Sequence, residues 1–123
     1  MEPLYILNES DQPDQPGDVN IFRNIDSLLG YVEAIDVRNN EYLTFTTDGR
    51  KITLSAEEDY APVSADIEEK PQQQDVVMRL LHAYLLRVAE DGHFGIDEKA
   101  ATDAKTLDDL AELIPEKLIT EYK

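Results

Sequence analysis

The chain has 123 residues and a formal net charge of −16 at neutral pH, from 27 Asp and Glu against 11 Lys and Arg. This excess disfavours direct binding to nucleic acid or to an anionic membrane surface, because phosphates attract Lys and Arg. The absence of Cys excludes disulfides, thiolate metal sites and cysteine nucleophiles. The acids are dispersed along the whole chain, which predicts an acidic surface rather than an acidic tail.

The length fits a single domain, 1–123, because single domains commonly have about 50–200 residues. The N-terminus lacks a basic segment, and the apolar run at residues 4–7 is too short for a signal sequence. No stretch approaches the roughly 20 apolar residues that cross a bilayer. We therefore expect a soluble, cytoplasmic protein.

Two short strands and a helix are predicted in the first third of the chain. Residues 4–7 and 19–22 are typical of buried strands, and the polar segment between them is typical of a loop. The helix is expected to begin near Asn24, and the side chain of Asn24 or of Asp26 can cap the amides of the first turn. Its apolar stripe has the i, i+3, i+4, i+7 spacing and consists of Ile25, Leu28, Leu29 and Val32.

The clearest local signal is a β-hairpin over residues 41–55. Asp48 and Gly49 are typical of a two-residue type I′ turn, because both positions tolerate a positive φ. This turn pairs Phe45 with Ile52 and places the large apolar side chains of the hairpin on one face.

A further strand and a long helix follow the hairpin. Residues 63–67 alternate apolar with polar side chains, which predicts a half-buried strand. A continuous apolar stripe then predicts a helix over about 72–90 that ends at Gly92. Its members are Val77, Leu80, Leu81, Tyr84, Leu85 and Val88.

The C-terminal region is expected to be helical. Thr106 and Asp109 resemble a capping box at the start of one helix. Pro115 ends that helix and favours the first turn of another, with Leu118, Ile119 and Tyr122 facing inward. Strands first and helices last predict an α+β fold: a small antiparallel sheet with the long helix and the C-terminal helices on one face.

Catalytic chemistry is poorly represented in the sequence. His82 lies beside the apolar stripe of the long helix, where packing is the favoured role, and His93 lies in a loop between two glycines. Segment 91–98 resembles a calcium loop, but its oxygen ligands fall at the wrong positions. We therefore predict no catalytic residue, no metal and no cofactor.

Binding to a partner is better supported, by carboxylates close to an aromatic side chain. Tyr60 can anchor the centre of an interface while the surrounding acids steer the encounter. The alternative is a solvent-facing loop with a partly buried Tyr60. The candidate partner-binding residues are Glu57, Glu58, Asp59, Tyr60, Asp66, Glu68 and Glu69. A third acidic group consists of Asp108, Asp109 and Glu112, and Asp108 and Asp109 are interpreted as stabilising the first turn of a helix.

Part of the chain resembles a group of small acidic bacterial proteins, several of them associated with toxin–immunity loci. The resemblance lies in segment 25–54, which reads IDSLLGYVEAIDV and then EYLTF and DGR, and in the terminal LDDL and IPEKL. Thr47 departs from the pattern, in which an acid or Asn is commoner before the turn. The residues that match it are Tyr31, Glu33, Asp36, Tyr42, Asp48 and Gly49. The resemblance implies an immunity-like protein and assigns no binding residue.

Three hypotheses follow from the sequence. The leading one is an acidic module that binds and neutralises a basic protein, such as a nuclease toxin. The second is a non-catalytic interaction domain, such as a homodimer that pairs through Tyr42 and Tyr60. The third is a small hydrolase or ligand-binding domain that uses His93 with nearby carboxylates.

Overall fold

The computed structural model describes residues 2–10, 12 and 15–121. It has an α+β fold, as the sequence predicts. The strands are β1 (Tyr5–Asn8), β2 (Val19–Phe22), β3 (Leu43–Thr46), β4 (Lys51–Ser55), β5 (Ser64–Ile67) and β6 (Ile119–Thr120). The helices are α1 (Ile25–Tyr31), α2 (Ala34–Arg38), α3 (Gln74–Asp91), α4 (Glu98–Asp103) and α5 (Leu107–Glu112), and a 3₁₀ turn (Glu116–Leu118) precedes β6.

Within these residues the strands form one mixed sheet in the order β5-β4-β3-β1-β2-β6. Hydrogen bonding is antiparallel from β5 through β2, and β6 pairs in parallel with β2. The C-terminal segment therefore adds an edge strand to the sheet.

The sheet is covered by helices on both faces. Consecutive strand residues point to opposite faces, and both Ile6 and Leu7 of β1 are fully buried. Ile6 belongs to the core beneath α3, α4 and α5, whereas Leu7 packs with α1 and α2. The long helix and the C-terminal helices α4 and α5 share one face, as predicted, but α1 and α2 cover the opposite face, so the expectation that all helices lie on one face is wrong. We call the group between the sheet and helices α1 and α2 the second core; its buried residues are Leu7, Phe22, Leu28, Val32 and Val37.

The long helix forms as its apolar stripe predicts. All six residues of the stripe are buried, and α3 ends at Gly92, whose φ of 72° is left-handed. In the part of the chain that the structure describes, neither α3 nor any other helix is long and apolar enough to cross a membrane.

The hairpin forms, but its predicted register is wrong by one residue. Phe45 pairs with Lys51 rather than with Ile52, and the amide of Thr46 donates to the carbonyl oxygen of Arg50 at 2.9 Å. The loop therefore has three residues, 47–49, and ends at Gly49 with a φ of 98°. A three-residue loop that ends in a left-handed glycine is a common alternative to the two-residue turn. Phe45 and Ile52 consequently face opposite sides of the sheet.

Gly49 also contacts the start of α3. Its carbonyl oxygen accepts a hydrogen bond from the Gln73 amide at 2.7 Å, and a Cβ atom at Gly49 would lie 2.5 Å from Cγ of Gln74.

We expect Gly49→Ala to lower the free energy of unfolding by about 1–3 kcal/mol, from backbone strain and this clash. Urea unfolding measures the loss. Gly92→Ala is the matched control, because Gly92 also has a positive φ but has open space at Cβ. Equal losses in the two variants would contradict the packing of the hairpin on α3.

The C-terminal region is partly as predicted. The Thr106 hydroxyl caps α5 by accepting from the Asp109 amide at 3.0 Å. The helix expected after Pro115 is wrong: a 3₁₀ turn is followed by β6, in which Ile119 pairs with Ile21 of β2. Tyr122 lies outside the described residues. Strand pairing prevails here because Ile119 reaches the exposed edge of β2.

Candidate functional site

The loop between β4 and β5 carries an aromatic ring surrounded by carboxylates. Glu57, Glu58 and Asp59 are exposed, and Tyr60 is 96% exposed. The amide of Ala61 donates to the carbonyl oxygen of Glu58 at 3.2 Å, which closes a turn around the acids. The alternative of a partly buried Tyr60 is therefore wrong. At this exposure, the Tyr60 ring is not packed into either core of the part of the chain that the structure describes.

An ion pair connects this loop to α2. Nη1 of Arg38 lies 2.8 Å from Oδ1 of Asp59, and both side chains are about half exposed. A surface pair of this kind contributes at most about 1 kcal/mol to stability. Its main effect is to hold the loop against the helix.

α2 also carries a second exposed apolar side chain, on the same side of the helix as Arg38. Ile35 lies three residues before Arg38, and residues at this spacing share one side of a helix. Within the described residues, Ile35 and Tyr60 are the exposed large hydrophobic side chains, at 37% and 96%. We call the set Ile35, Glu57, Glu58, Asp59 and Tyr60 the acidic loop surface.

The other three predicted partner-binding residues lie elsewhere on β5 or just after it. Asp66 is exposed on the edge strand, opposite Thr53, and Glu69 is exposed beyond the end of the strand. Oε1 of Glu68 accepts from the amide of Lys51 at 2.6 Å, so this carboxylate is used within the fold. The structure thus brings 57–60 together and separates them from Asp66, Glu68 and Glu69.

A second acidic group surrounds Asp36 on the other side of α2. The Tyr42 hydroxyl donates to Oδ2 of Asp36 at 3.2 Å, and burial raises the pKa of Tyr42 well above its ordinary value. A hydrogen bond with Asp36 raises the pKa of Glu41. Tyr42 is half-buried against the second core, so only part of its ring is available to a partner.

Glu9 is also affected by neighbouring carboxylates. Partial burial, and then the charges of Asp18 and Asp36, raise its pKa above the ordinary value of 4.5. A raised carboxyl pKa means that the folded state holds this proton more tightly than the unfolded chain does. Its contribution to stability is therefore full below pH 4.5 and is lost as pH rises through the raised pKa.

We expect Glu9→Gln to raise the free energy of unfolding at pH 7, because the variant removes this unfavourable charge. The gain should stay below about 1 kcal/mol, since the side chain is exposed and screened, and should vanish below the ordinary carboxyl pKa. Urea unfolding as a function of pH measures it. Glu112→Gln, an exposed glutamate of α5, is the charge-matched control. A gain of equal size in both variants, or one that persists in acid, would contradict this explanation.

The two histidines lie in different environments. Nε2 of His82 donates to the carbonyl oxygen of Ala104 at 3.2 Å, which ties α3 to the end of α4. His93 is exposed, and the cleft beside it is lined by Phe94 and Asp91 but not by His93. Among the residues that the structure describes, no three His, Asp or Glu side chains are grouped so that they could hold a metal ion.

Comparison with known protein families, with curated proteins and with solved structures gave no match. The geometry of the chain itself is therefore the basis for a functional proposal.

Two residues of α2 were not predicted from the sequence: one belongs to the acidic loop surface and the other forms the ion pair with its Asp59. Ile35 and Arg38 lie in α2, which has five residues and is too short to show a helical period. A search for apolar residues at helical spacing therefore does not detect them. The one available signal is the sequence Ile35-Asp36-Val37-Arg38, where an apolar and a basic residue stand three apart.

Proposed function

We propose that this protein is a non-catalytic binding module that holds a basic protein partner against the acidic loop surface. The observation that carries the proposal is Tyr60, which is 96% exposed among three carboxylates on a loop held by the Arg38–Asp59 ion pair. Exposed aromatic side chains ringed by polar groups are typical centres of protein interfaces.

The charge of the chain supports a basic partner. A net charge of −16 creates a negative field that accelerates the approach of a cationic protein and weakens as salt increases. The acids at 57–59 then provide ion pairs at the rim of the interface, while Tyr60 and Ile35 exclude water at its centre.

The resemblance to immunity-like proteins extends the proposal to the kind of partner. A toxin domain that acts on nucleic acid has a basic active-site surface, because it binds phosphates. Carboxylates displayed by this protein would occupy that surface in place of phosphates. Inhibition of this kind requires no catalytic group on the inhibitor.

Affinity capture with matched variants tests the proposal. The immobilised protein is exposed at low salt to a lysate of its source organism, and retained proteins are eluted with rising salt. We expect one basic protein to be retained in stoichiometric amount and to be lost from the Glu57→Gln/Glu58→Gln variant. The control, Asp108→Asn/Glu112→Gln, removes the same charge from α5 and should retain it. Equal retention by both variants, or a broad mixture of basic proteins, would contradict the proposal.

A further inference from the structure

An open cleft lies at the edge of the sheet, away from the acidic loop. It has a volume of about 600 Å³, within the range of small-molecule sites, and Val19 and Asn20 of β2 lie in its wall. β6 pairs with Ile21 and Phe22, and the Thr120 hydroxyl of β6 also donates to Oδ1 of Asn20 at 3.1 Å, so β6 borders the cleft at Asn20.

The lining of the cleft combines aromatic rings with carboxylates. Two half-buried aromatic side chains provide apolar area and ring faces, a third ring is buried with the Arg87 guanidinium over it, and three exposed carboxylates provide negative charge. These residues are Tyr31, Tyr84, Phe94, Glu9, Asp18 and Asp91. This combination attracts cations that also carry an apolar stem.

The end of α3 adds to the negative potential. The helix has 18 residues and ends at Asp91, beside the cleft, and its last turn contains no basic residue. The carbonyl end of a helix carries a partial negative charge that favours nearby cations.

Arg87 shows that the cleft accepts a guanidinium group. Its central carbon lies 5.7 Å from the centre of the Tyr84 ring, and its terminal nitrogens donate to the carbonyl oxygens of Pro16 and Gly17, both at 2.8 Å. These bonds fix the loop to α3. Hydrogen bonds to neutral carbonyl oxygens leave the positive charge of Arg87 in place, so Arg87 offsets one of the three carboxylate charges and the cleft keeps an excess of negative charge.

We propose that this cleft binds a small organic cation, an alkylammonium or alkylguanidinium group on an apolar stem. The carboxylates of Glu9, Asp18 and Asp91 neutralise the cation, and the exposed parts of the rings cover its stem. Partial burial is the largest cause of the raised pKa of Glu9, and the charges of Asp18 and Asp36 raise this pKa further; a bound cation would relieve the second of these effects. The proposal does not depend on the acidic loop surface.

Titration with agmatine, followed by calorimetry and by NMR, tests the proposal. We expect saturable one-to-one binding that the Glu9→Gln/Asp18→Asn variant weakens at least tenfold. The control variant, Glu57→Gln/Glu58→Gln, removes equal charge from the distant loop and should change the Kd less than twofold. Equal weakening in both variants would show generic attraction to an acidic surface and would overturn the proposal.

Two further experiments test the contribution of the aromatic rings and the chemical source of the cation. Phe94→Leu, with its fold verified by circular dichroism, should weaken agmatine binding about threefold or more. Binding of 1-butanol as tight as that of agmatine would overturn the proposal, because it would show that charge plays no part. Tighter binding of the tripeptide Gly-Arg-Gly than of agmatine identifies a protein side chain as the source, and the reverse order identifies a free amine. Loss of partner capture at Tyr60 leaves these results unaffected.

Discussion

Replacing Tyr60 with Ala is expected to raise the Kd for the basic partner about 30-fold or more. A ring at the centre of an interface typically contributes 2 kcal/mol or more to binding, and 1.4 kcal/mol corresponds to a factor of ten. The ring is 96% exposed in the free protein, so the partner can bury nearly all of it. Calorimetric titration of the partner into each variant measures the change.

Two controls separate an anchoring ring from other roles of Tyr60. Tyr60→Phe keeps the apolar area and should bind within a few-fold of the unmodified protein. Tyr60→Ala should also change the free energy of unfolding by less than about 0.5 kcal/mol, because exposed side chains contribute little to stability. A Kd unchanged by Tyr60→Ala would show that this ring is not part of the interface.

Replacing Phe22 with Ala is expected to lower the free energy of unfolding by about 3–5 kcal/mol. Phe22 is fully buried in the second core, and its ring centre lies 5.4 Å from that of Tyr31. Removal of the ring leaves a cavity between the sheet and α1. Since domains are stable by about 5–15 kcal/mol, this loss is a large fraction of the total. Urea unfolding measures it.

A milder variant keeps this prediction testable if Phe22→Ala fails to fold. Phe22→Leu retains most of the buried volume and should cost less than about 1.5 kcal/mol. A loss below 1 kcal/mol for Phe22→Ala would contradict a packed core on this face of the sheet. It would then favour a sheet covered by α3, α4 and α5 alone.

The sequence is sufficient to predict elements in which the apolar pattern repeats over many residues. It is less informative about how these elements pack together. The stripe of α3 extends over several turns, and its 3.6-residue period therefore identifies the helix and its buried face. The hairpin is also identified, but its register depends on whether the loop has two residues or three. Asp48 and Gly49 suit both loop lengths, so these two residues do not distinguish the two registers. The contact of Gly49 with the start of α3 belongs to the three-residue loop, and it joins residues that are distant in sequence.

The second core illustrates a different difficulty. Ile6 and Leu7 are neighbours in the chain and are buried on opposite faces of the sheet. The sequence of β1 therefore shows no alternation of apolar and polar residues from which the buried face could be inferred. Its run of apolar residues is consistent with burial on both sides. The helix that completes the second core beside α1 is α2, which is too short to give a period.

The acidic loop surface could be predicted only in part. The sequence identifies Tyr60 and its acids, because they are adjacent in the chain. Arg38 of α2 joins them through its ion pair with Asp59, across 21 residues of sequence, which no local pattern indicates. The cleft at β2 is harder still to predict from the sequence, because its walls come from three separate parts of the chain: the region between β1 and α1, helix α3 with the loop after it, and the C-terminal segment.

The most direct test of the central claim is an NMR titration of the isotopically labelled protein with the captured basic partner. We expect the largest amide shifts at residues 57–60 and along α2, and small shifts at α5. Largest shifts at the acids of α5, or shifts of similar size over the whole acidic surface, would contradict a defined interface at Tyr60.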